Sequence, residues 1–287
     1  MKPKVVVAEE IAEAGLKALE EHANVEMAIG LERYELLGRL ADAAGLIVRS
    51  GTAVDADLIS AAPDLRVVGR AGVGVDNIDV PAATAAGILV VNAPTANVVS
   101  AAEHTFAMIL AQARRIPQAD AMVRSGRWDR RTLQGFELHG KTLGLIGLGR
   151  VGSLVAARAL AFGMTIIAYD PYVGAEVARR LRVRLVEVMD QVLAEADVIT
   201  VHVPLTRETR GLLGPDQLAR VKKGCCIINT SRGGVVDEAA LVEALRSGAV
   251  AGAALDVFED EPKPHPGLLE LSQVVLTPHL GASTREA

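Results

Sequence analysis

Three spaced glycines carry the first chemical signal in this chain. Leu143-Gly144-Leu145-Ile146-Gly147-Leu148-Gly149-Arg150-Val151-Gly152 ends an apolar run in G-x-G-x-x-G spacing, and a helical pattern follows over residues 153–162. Gly147 permits a tight turn, Gly149 lets a pyrophosphate approach the backbone, and Gly152 lets helix and strand pack closely. The pyrophosphate charge then meets the free N–H groups and the positive end of a helix. Asp170 closes the next apolar run, Thr165-Ile166-Ile167-Ala168-Tyr169. A carboxylate there accepts hydrogen bonds from ribose hydroxyls and repels a 2′-phosphate. The competing reading is an ordinary strand–turn–helix, with Asp170 as a turn residue before Pro171.

A second set of candidates closes the later apolar runs. Val201-His202-Val203-Pro204, Asn229-Thr230-Ser231-Arg232-Gly233-Gly234, Leu255-Asp256-Val257-Phe258-Glu259-Asp260-Glu261-Pro262 and Thr277-Pro278-His279-Leu280-Gly281-Ala282-Ser283 each follow one. In a parallel sheet, ligands sit beyond the carboxyl ends of the strands, where these residues would gather. Arg232 can hold a carboxylate through its planar fork. His279 is a candidate proton carrier, because imidazole titrates near physiological pH. Glu261 is the candidate to orient that imidazole and raise its pKa. His202 is read as lining a cofactor site, not as an acid. The bland alternatives are a surface arginine in a glycine turn, a solvated acidic run with Glu259 and Asp260, and a histidine that caps a helix. His22, His104, His139 and His265 are read as structural.

The first third of the chain offers an anion site. Arg49-Ser50-Gly51 and Gly69-Arg70-Ala71-Gly72-Val73-Gly74-Val75-Asp76-Asn77 each follow an apolar run. Successive backbone N–H groups in such loops can hold a carboxylate or phosphate, with Arg49 and Arg70 adding charge. Plain turns with surface arginines are the alternative.

The elements that must position these groups alternate along the chain. Strand candidates fall at residues 5–8, 25–28, 46–49, 67–69 and 89–91, with helical patterns at 10–21, 32–43 and 55–61 between them. A long helical pattern at 99–114 and a second at 118–126, after Pro117, have no strand partner. Strands resume at 142, 165–169, 198–202, 225–229, 251–255 and 274–277. Such alternation means βαβ units and mostly parallel sheets. The expected architecture is α/β, with a substrate domain over residues 1–97 and a cofactor domain over 98–283. The chain has 287 residues, half of them hydrophobic and only 3% aromatic, which favours aliphatic cores. Its net charge of −5 gives no general reason to bind nucleic acid or an anionic membrane. No apolar run reaches the ~20 residues of a membrane span, and Met1-Lys2-Pro3-Lys4 does not open a signal peptide. The adjacent Cys225 and Cys226 cannot staple distant segments. No metal site and a reducing cytoplasm are the expectation.

Taken together, these motifs resemble the D-isomer-specific 2-hydroxyacid dehydrogenases over nearly the whole chain. The resemblance rests on Gly69–Asn77, Asn92-Ala93-Pro94-Thr95-Ala96-Asn97, Ser231-Arg232-Gly233-Gly234-Val235-Val236-Asp237-Glu238, Ala254-Leu255-Asp256-Val257-Phe258 and Pro278-His279-Leu280-Gly281-Ala282-Ser283-Thr284. It implies a flavodoxin-like substrate domain and a Rossmann domain that binds NAD. It also implies a catalytic trio of Arg232, Glu261 and His279. Cofactor contacts are implied at Gly147, Gly149, Arg150, Val151, Gly152, Asp170, His202, Val203, Pro204, Thr230, Ser231, Asp256, Gly281 and Ala282. Substrate contacts are implied at Arg49, Ser50, Arg70, Gly72, Val73 and Gly74, with Arg49 placed for a phosphate.

The implied reaction is reversible oxidation of a D-2-hydroxy acid, 3-phospho-D-glycerate in the branch that fits best, by a homodimer joined through the cofactor domain. A glyoxylate or hydroxypyruvate reductase stays open as an alternative, and so does an NAD-sensing corepressor. Val203 stands where many members have threonine. Members also continue past the position of Ala287 with a helix returning to the first domain, of which residues 284–287 would be the start. A regulatory domain that binds serine often follows, so serine feedback is not expected of this chain.

Overall fold

A computed structural model describes residues 2–287. The chain divides into two compact units, Met1–Asn97 and Val98–Ala287. Residues 284–287 group with the second unit, where the Thr284 amide turns back to the Ala282 carbonyl.

The first unit runs β1 (Lys4–Val7), α1 (Glu13–His22), β2 (Asn24–Met27), α2 (Arg33–Leu40), β3 (Gly45–Val48), α3 (Ala56–Ser60), β4 (Val67–Arg70), α4 (Val80–Ala85) and β5 (Leu89–Asn92). Its five strands are parallel, in the order β2-β1-β3-β4-β5. That is the flavodoxin-like winding, with its switch point between β1 and β3. Val6, Leu46 and Val68 bury one face against Leu36 and Leu40 of α2 and Leu58 of α3. Asp55 and Asp79 cap α3 and α4 by accepting amides of the first turn.

The second unit opens with α5 (Val98–Arg114), α6 (Ile116–Arg124) and a 3-10 turn (Arg130–Leu133). It continues through β6 (Thr142–Ile146), α7 (Arg150–Ala161), β7 (Thr165–Tyr169), α8 (Ala175–Arg180), β8 (Arg184–Val186), α9 (Met189–Glu195), β9 (Val198–Val201) and α10 (Pro215–Leu218). It closes with β10 (Cys226–Asn229), α11 (Glu238–Ser247), β11 (Gly252–Leu255), α12 (Pro266–Leu269) and β12 (Val274–Leu276). Seven parallel strands lie in the order β12-β11-β10-β9-β6-β7-β8, the Rossmann winding with one strand added. Alternate residues of each central strand feed opposite cores. Leu143, Leu145, Ile228 and Ala254 pack with α5 and α7, whereas Ile146, Ile199, Ile227 and Leu255 pack with α9 and α11. Both faces are covered, so these strands read as continuous apolar runs.

Register levels the strand ends. Tyr169, Ile146, Val201, Asn229, Leu255 and Leu276 are successive Cα partners across the sheet. One residue further along each strand stand Asp170, Gly147, His202, Thr230, Asp256 and Thr277. Candidates far apart in sequence therefore share one row beyond the carboxyl edge.

The strand expectations hold to within a residue or two, and two local differences, the start of α6 and the presence of β8, have physical causes. Pro117 lies inside the first turn of α6, where no N–H is needed, so α6 starts at Ile116. Arg115, in the left-handed region (φ 50°), separates α5 from α6. β8 was not expected, because it is a three-residue edge strand with only Val186 buried.

Gly144 sets how closely α9 approaches β6. A Cβ there would lie 2.6 Å from Val192 and 2.7 Å from Ala196. Gly144→Ala is expected to lower unfolding stability by about 1–3 kcal/mol through overpacking, read by urea denaturation.

Candidate active site

Backbone closes in on two of the three glycines of the turn. Gly147 has φ 97°, and a Cβ on it would lie 2.5 Å from the His202 carbonyl oxygen. A Cβ on Gly152 would overlap the Gly147 carbonyl oxygen. At Gly149 a Cβ would meet nothing within 4 Å. The chain's own packing therefore explains Gly147 and Gly152 but not Gly149, whose missing side chain leaves the space a pyrophosphate needs. Gly149 caps α7, so Arg150 and Val151 present first-turn amides there. Arg150 is exposed, and Val151 packs toward the core.

Asp170 braces the same turn. One carboxylate oxygen accepts the Leu148 amide at 2.8 Å and the other the Tyr172 amide at 2.9 Å. A carboxylate has about four acceptor sites, so two ribose hydroxyls can still be received. These observations fit a nicotinamide dinucleotide. Val203 packs beside Gly147, its Cγ1 3.0 Å from where a Cβ would stand. Pro204 is exposed, and its carbonyl accepts the Thr209 hydroxyl. His202 has Nε2 3.1 Å from Thr200 Oγ1, and loss of water around its ring pushes its pKa down to about 4. It is neutral at pH 7, as a wall residue should be.

Past β10, Asn229 shapes the arginine loop. Its side-chain carbonyl accepts the Ser231 amide and hydroxyl, while its NH2 donates to the Arg232 carbonyl at 2.9 Å. Thr105 on α5 donates to the Ala101 carbonyl, so the 2.6 Å contact with Thr230 is filled by the Thr230 proton. A Cβ on Gly233 would overlap the Phe258 carbonyl oxygen. The Arg232 loop thus rests directly on the segment that leads to Glu261.

His279 and Glu261 form a pair, with Nδ1 2.8 Å from Oε2. A carboxylate only accepts, so Nδ1 carries the hydrogen and Nε2 is left to exchange a proton. The Glu261 hydrogen bond raises the His279 pKa above its ordinary value, outweighing burial. Arg232 acts electrostatically on the same ring in the opposite sense. Burial pushes Glu261 up, and the hydrogen bond and charge of His279 more than offset it. The three residues chosen from the sequence are therefore brought together.

His279 sits in the left-handed region, φ 54°, an uncommon conformation for a side chain of its size. Asp256 holds it there. This carboxylate is fully buried. Oδ1 accepts the Thr277 hydroxyl at 2.6 Å and the Leu280 amide at 2.7 Å, and Oδ2 accepts the Gly281 amide at 2.9 Å. His104 Nε2 on α5 lies 3.1 Å from Oδ1. Burial pushes Asp256 up, but His104, Thr277 and the loop amides hold it below the ordinary carboxylate value. Asp256 and the Gly281 amide, expected to face a cofactor, are thus engaged by the chain itself, and Ala282 follows as partly buried backbone. His104, read from the sequence as structural, belongs to this cluster.

In the first unit, three of the amides offered to an anion after β3 are already filled. Glu9, two residues past β1, accepts the amides of Arg49 (2.8 Å), Gly51 (3.0 Å) and Thr52 (2.9 Å). Burial pushes Glu9 up, and these amides hold it below its ordinary value. Asn77 ties the same loop through the carbonyls of Arg49 and Thr52. The side chains of Arg49 and Ser50 remain exposed. Arg70 is partly buried, with its guanidinium against Gly72, whose Cβ would overlap Nη1. The Val73 carbonyl accepts the Asn92 side chain, and Gly74 completes the loop. Glu9 was missed because its partners lie forty residues away with no local pattern. Among the described residues, no cluster of His, Cys, Asp or Glu could hold a metal, and no helix is long and apolar enough to cross a membrane.

The chain matches the family model for the D-isomer specific 2-hydroxyacid dehydrogenase, NAD binding domain, over residues 106–281. It is 54% identical over 284 residues to D-3-phosphoglycerate dehydrogenase of Methanocaldococcus jannaschii, covering 99% of this chain and 54% of that protein. Among solved structures it resembles the TT0316 protein of Thermus thermophilus (TM-score 0.89, 39% identity, 98% of this chain and 91% of that one). It also resembles a glyoxylate reductase from Paecilomyes thermophila (TM-score 0.90, 34% identity, 99% and 90%). The chain spans about half the length of the curated relatives it matches.

Asp256→Asn would turn an NH2 toward amides that need an acceptor, and is expected to cost about 2–3 kcal/mol in urea unfolding. The folded Asp256 pKa is depressed, so its contribution is complete above the unfolded value of 3.8 and is lost as pH falls through the folded value. The variant should lack that part of the acid-induced loss.

Proposed function

The chain belongs to the D-isomer specific 2-hydroxyacid dehydrogenases, and on that premise we propose that it oxidises 3-phospho-D-glycerate to 3-phosphohydroxypyruvate with NAD. The observation that carries this reading is the 2.8 Å His279–Glu261 pair, with the Arg232 charge acting on the same imidazole. The bound nicotinamide supplies the hydride chemistry. Nε2 of neutral His279 takes the hydroxyl proton, and Glu261 stabilises the imidazolium that forms. In the reverse direction the same nitrogen returns the proton. Arg232 anchors the carboxylate and polarises the reacting oxygen. In the first unit, Arg49 and Ser50 are assigned to the phosphate, and Arg70 with residues 72–74 to the carboxylate end. Asp170 favours NAD over NADP through its claim on the ribose hydroxyls. The proposed setting is the cytoplasm. The proposed assembly is a homodimer through the second unit, where exposed Val99, Ile116 and Val123 of α5 and α6 supply apolar surface.

One observation favours a second reading, a reductase of unphosphorylated 2-keto acids such as glyoxylate. Glu9 fills the Arg49, Gly51 and Thr52 amides after β3, so a phosphate would rely there on the exposed side chains of Arg49 and Ser50.

Two experiments test these assignments. His279→Ala is expected to lose about 10²-fold or more in turnover with NAD affinity unchanged. Because the His279 pKa is raised and the neutral ring accepts the proton, wild-type oxidation should increase with pH through a midpoint above 6.5, while reduction declines there. Near-normal turnover in the variant would remove His279 from the role. The second experiment is a steady-state panel of D-2-hydroxy acids. Arg49→Ala should weaken use of the phosphorylated acid about tenfold or more and spare unphosphorylated ones. Preferred use of unphosphorylated acids by the wild type would favour the second reading.

A further inference from the structure

Glu238 opens α11, one residue after the Asp237 cap, yet its side chain does not face solvent. The residue is 4% exposed. Its Oε1 accepts the Glu259 amide at 2.5 Å and its Oε2 the His265 amide at 2.9 Å. These two donors bracket the loop that carries Glu261. Between them the Lys263 amide returns to the Asp260 carbonyl at 2.6 Å, so the excursion is narrow. Glu261 takes the Phe258 amide on one oxygen at 3.1 Å, which leaves the other for His279.

A buried carboxylate is costly unless donors surround it. The buried neighbours on α11, Leu241, Val242 and Leu245, are apolar and do not call for one. An acidic residue suits a helix N-terminus, but that preference is met by an exposed side chain and does not explain two amides from a segment more than twenty residues away. What the carboxylate accomplishes is to hold both ends of one loop.

We propose that Glu238 is a positioning residue: its buried carboxylate fixes the 259–265 loop so that Glu261 stays within hydrogen-bond reach of His279 Nδ1. Gly233, pressed against the Phe258 carbonyl, does the same at the start of that segment. The short stretch from Arg232 to Glu238 therefore carries one member of the trio and sets the place of another. The charged groups around the loop are Asp237, Arg210 and His265, which act on Glu259 together with Glu238. Those facing His279 are Glu261, Asp256 and Arg232. The inference rests on the role given to His279 above, and its test is chosen to be separable from that role.

Glu238→Gln keeps the shape but can accept only one of the two amides. His265→Pro removes one donor from the other side, at a position whose φ of −54° already suits proline. The His279 imidazole is titrated by NMR in the wild type and both variants, with His279→Asn to assign its signal. The expected result is a downward shift of the His279 midpoint in both variants, toward the ordinary histidine value. Turnover should fall about tenfold or more with the KM for the cofactor unchanged. A His279 midpoint equal to the wild type in either folded variant overturns the proposal, whatever happens to thermal stability. A wild-type chain inactive on every 2-hydroxy acid would overturn the functional reading, while the titration still decides the place of Glu238.

Discussion

A single carboxylate, Asp256, governs the geometry of the second unit's chemical rim. It stands one residue past β11, fully buried, with its oxygens taken by a hydroxyl, two amides and an imidazole. Hydrogen bonds to an ionised acceptor are each worth about 1.5–3 kcal/mol, enough together to hold the neighbouring histidine in a backbone conformation that L-residues rarely adopt. The bend after β12 is therefore imposed from β11, across a strand boundary. Remove the charge, and the Leu280 and Gly281 amides lose the acceptor that turns the chain.

The rest of the rim follows the same logic of carboxylates holding backbone. Asp170 braces the glycine turn through Leu148, Glu9 braces the loop after β3, and Glu238 braces the loop after β11. In each case an acidic side chain satisfies amides that irregular backbone leaves without a ladder partner. Arg49 and His279 owe their places to neighbours whose own charges are consumed by the chain.

Much of this was legible in the sequence. The strand ends stood out because glycine, proline and polar residues punctuate apolar runs, and parallel topology then says where those ends meet. Arg232, Glu261 and His279 could be chosen on that basis. Gly147, Gly149 and Gly152 were legible as a group, although only the structure separates the two that the backbone requires from the one it does not. What escaped was long-range. His104 lies mid-helix with no motif, Glu9 bonds to residues forty positions on, and Glu238 looks like any acid in a first helical turn. β8 escaped for the opposite reason, since three residues with one buried side chain give no period to detect.

The level register of the second sheet has an evolutionary corollary. Asp170, Gly147, His202, Thr230 and Asp256 each stand one step beyond a strand on a shared row, and Arg232, Glu261 and His279 follow within a few residues of that row, whereas the connections entering the strands lie at the far edge. Insertions or deletions among those entering turns would leave spacing among the reactive groups untouched. The leaving turns have no such latitude, since a single added residue there displaces one group relative to all its neighbours. Sequence drift should accordingly collect on one rim and be purged from the other.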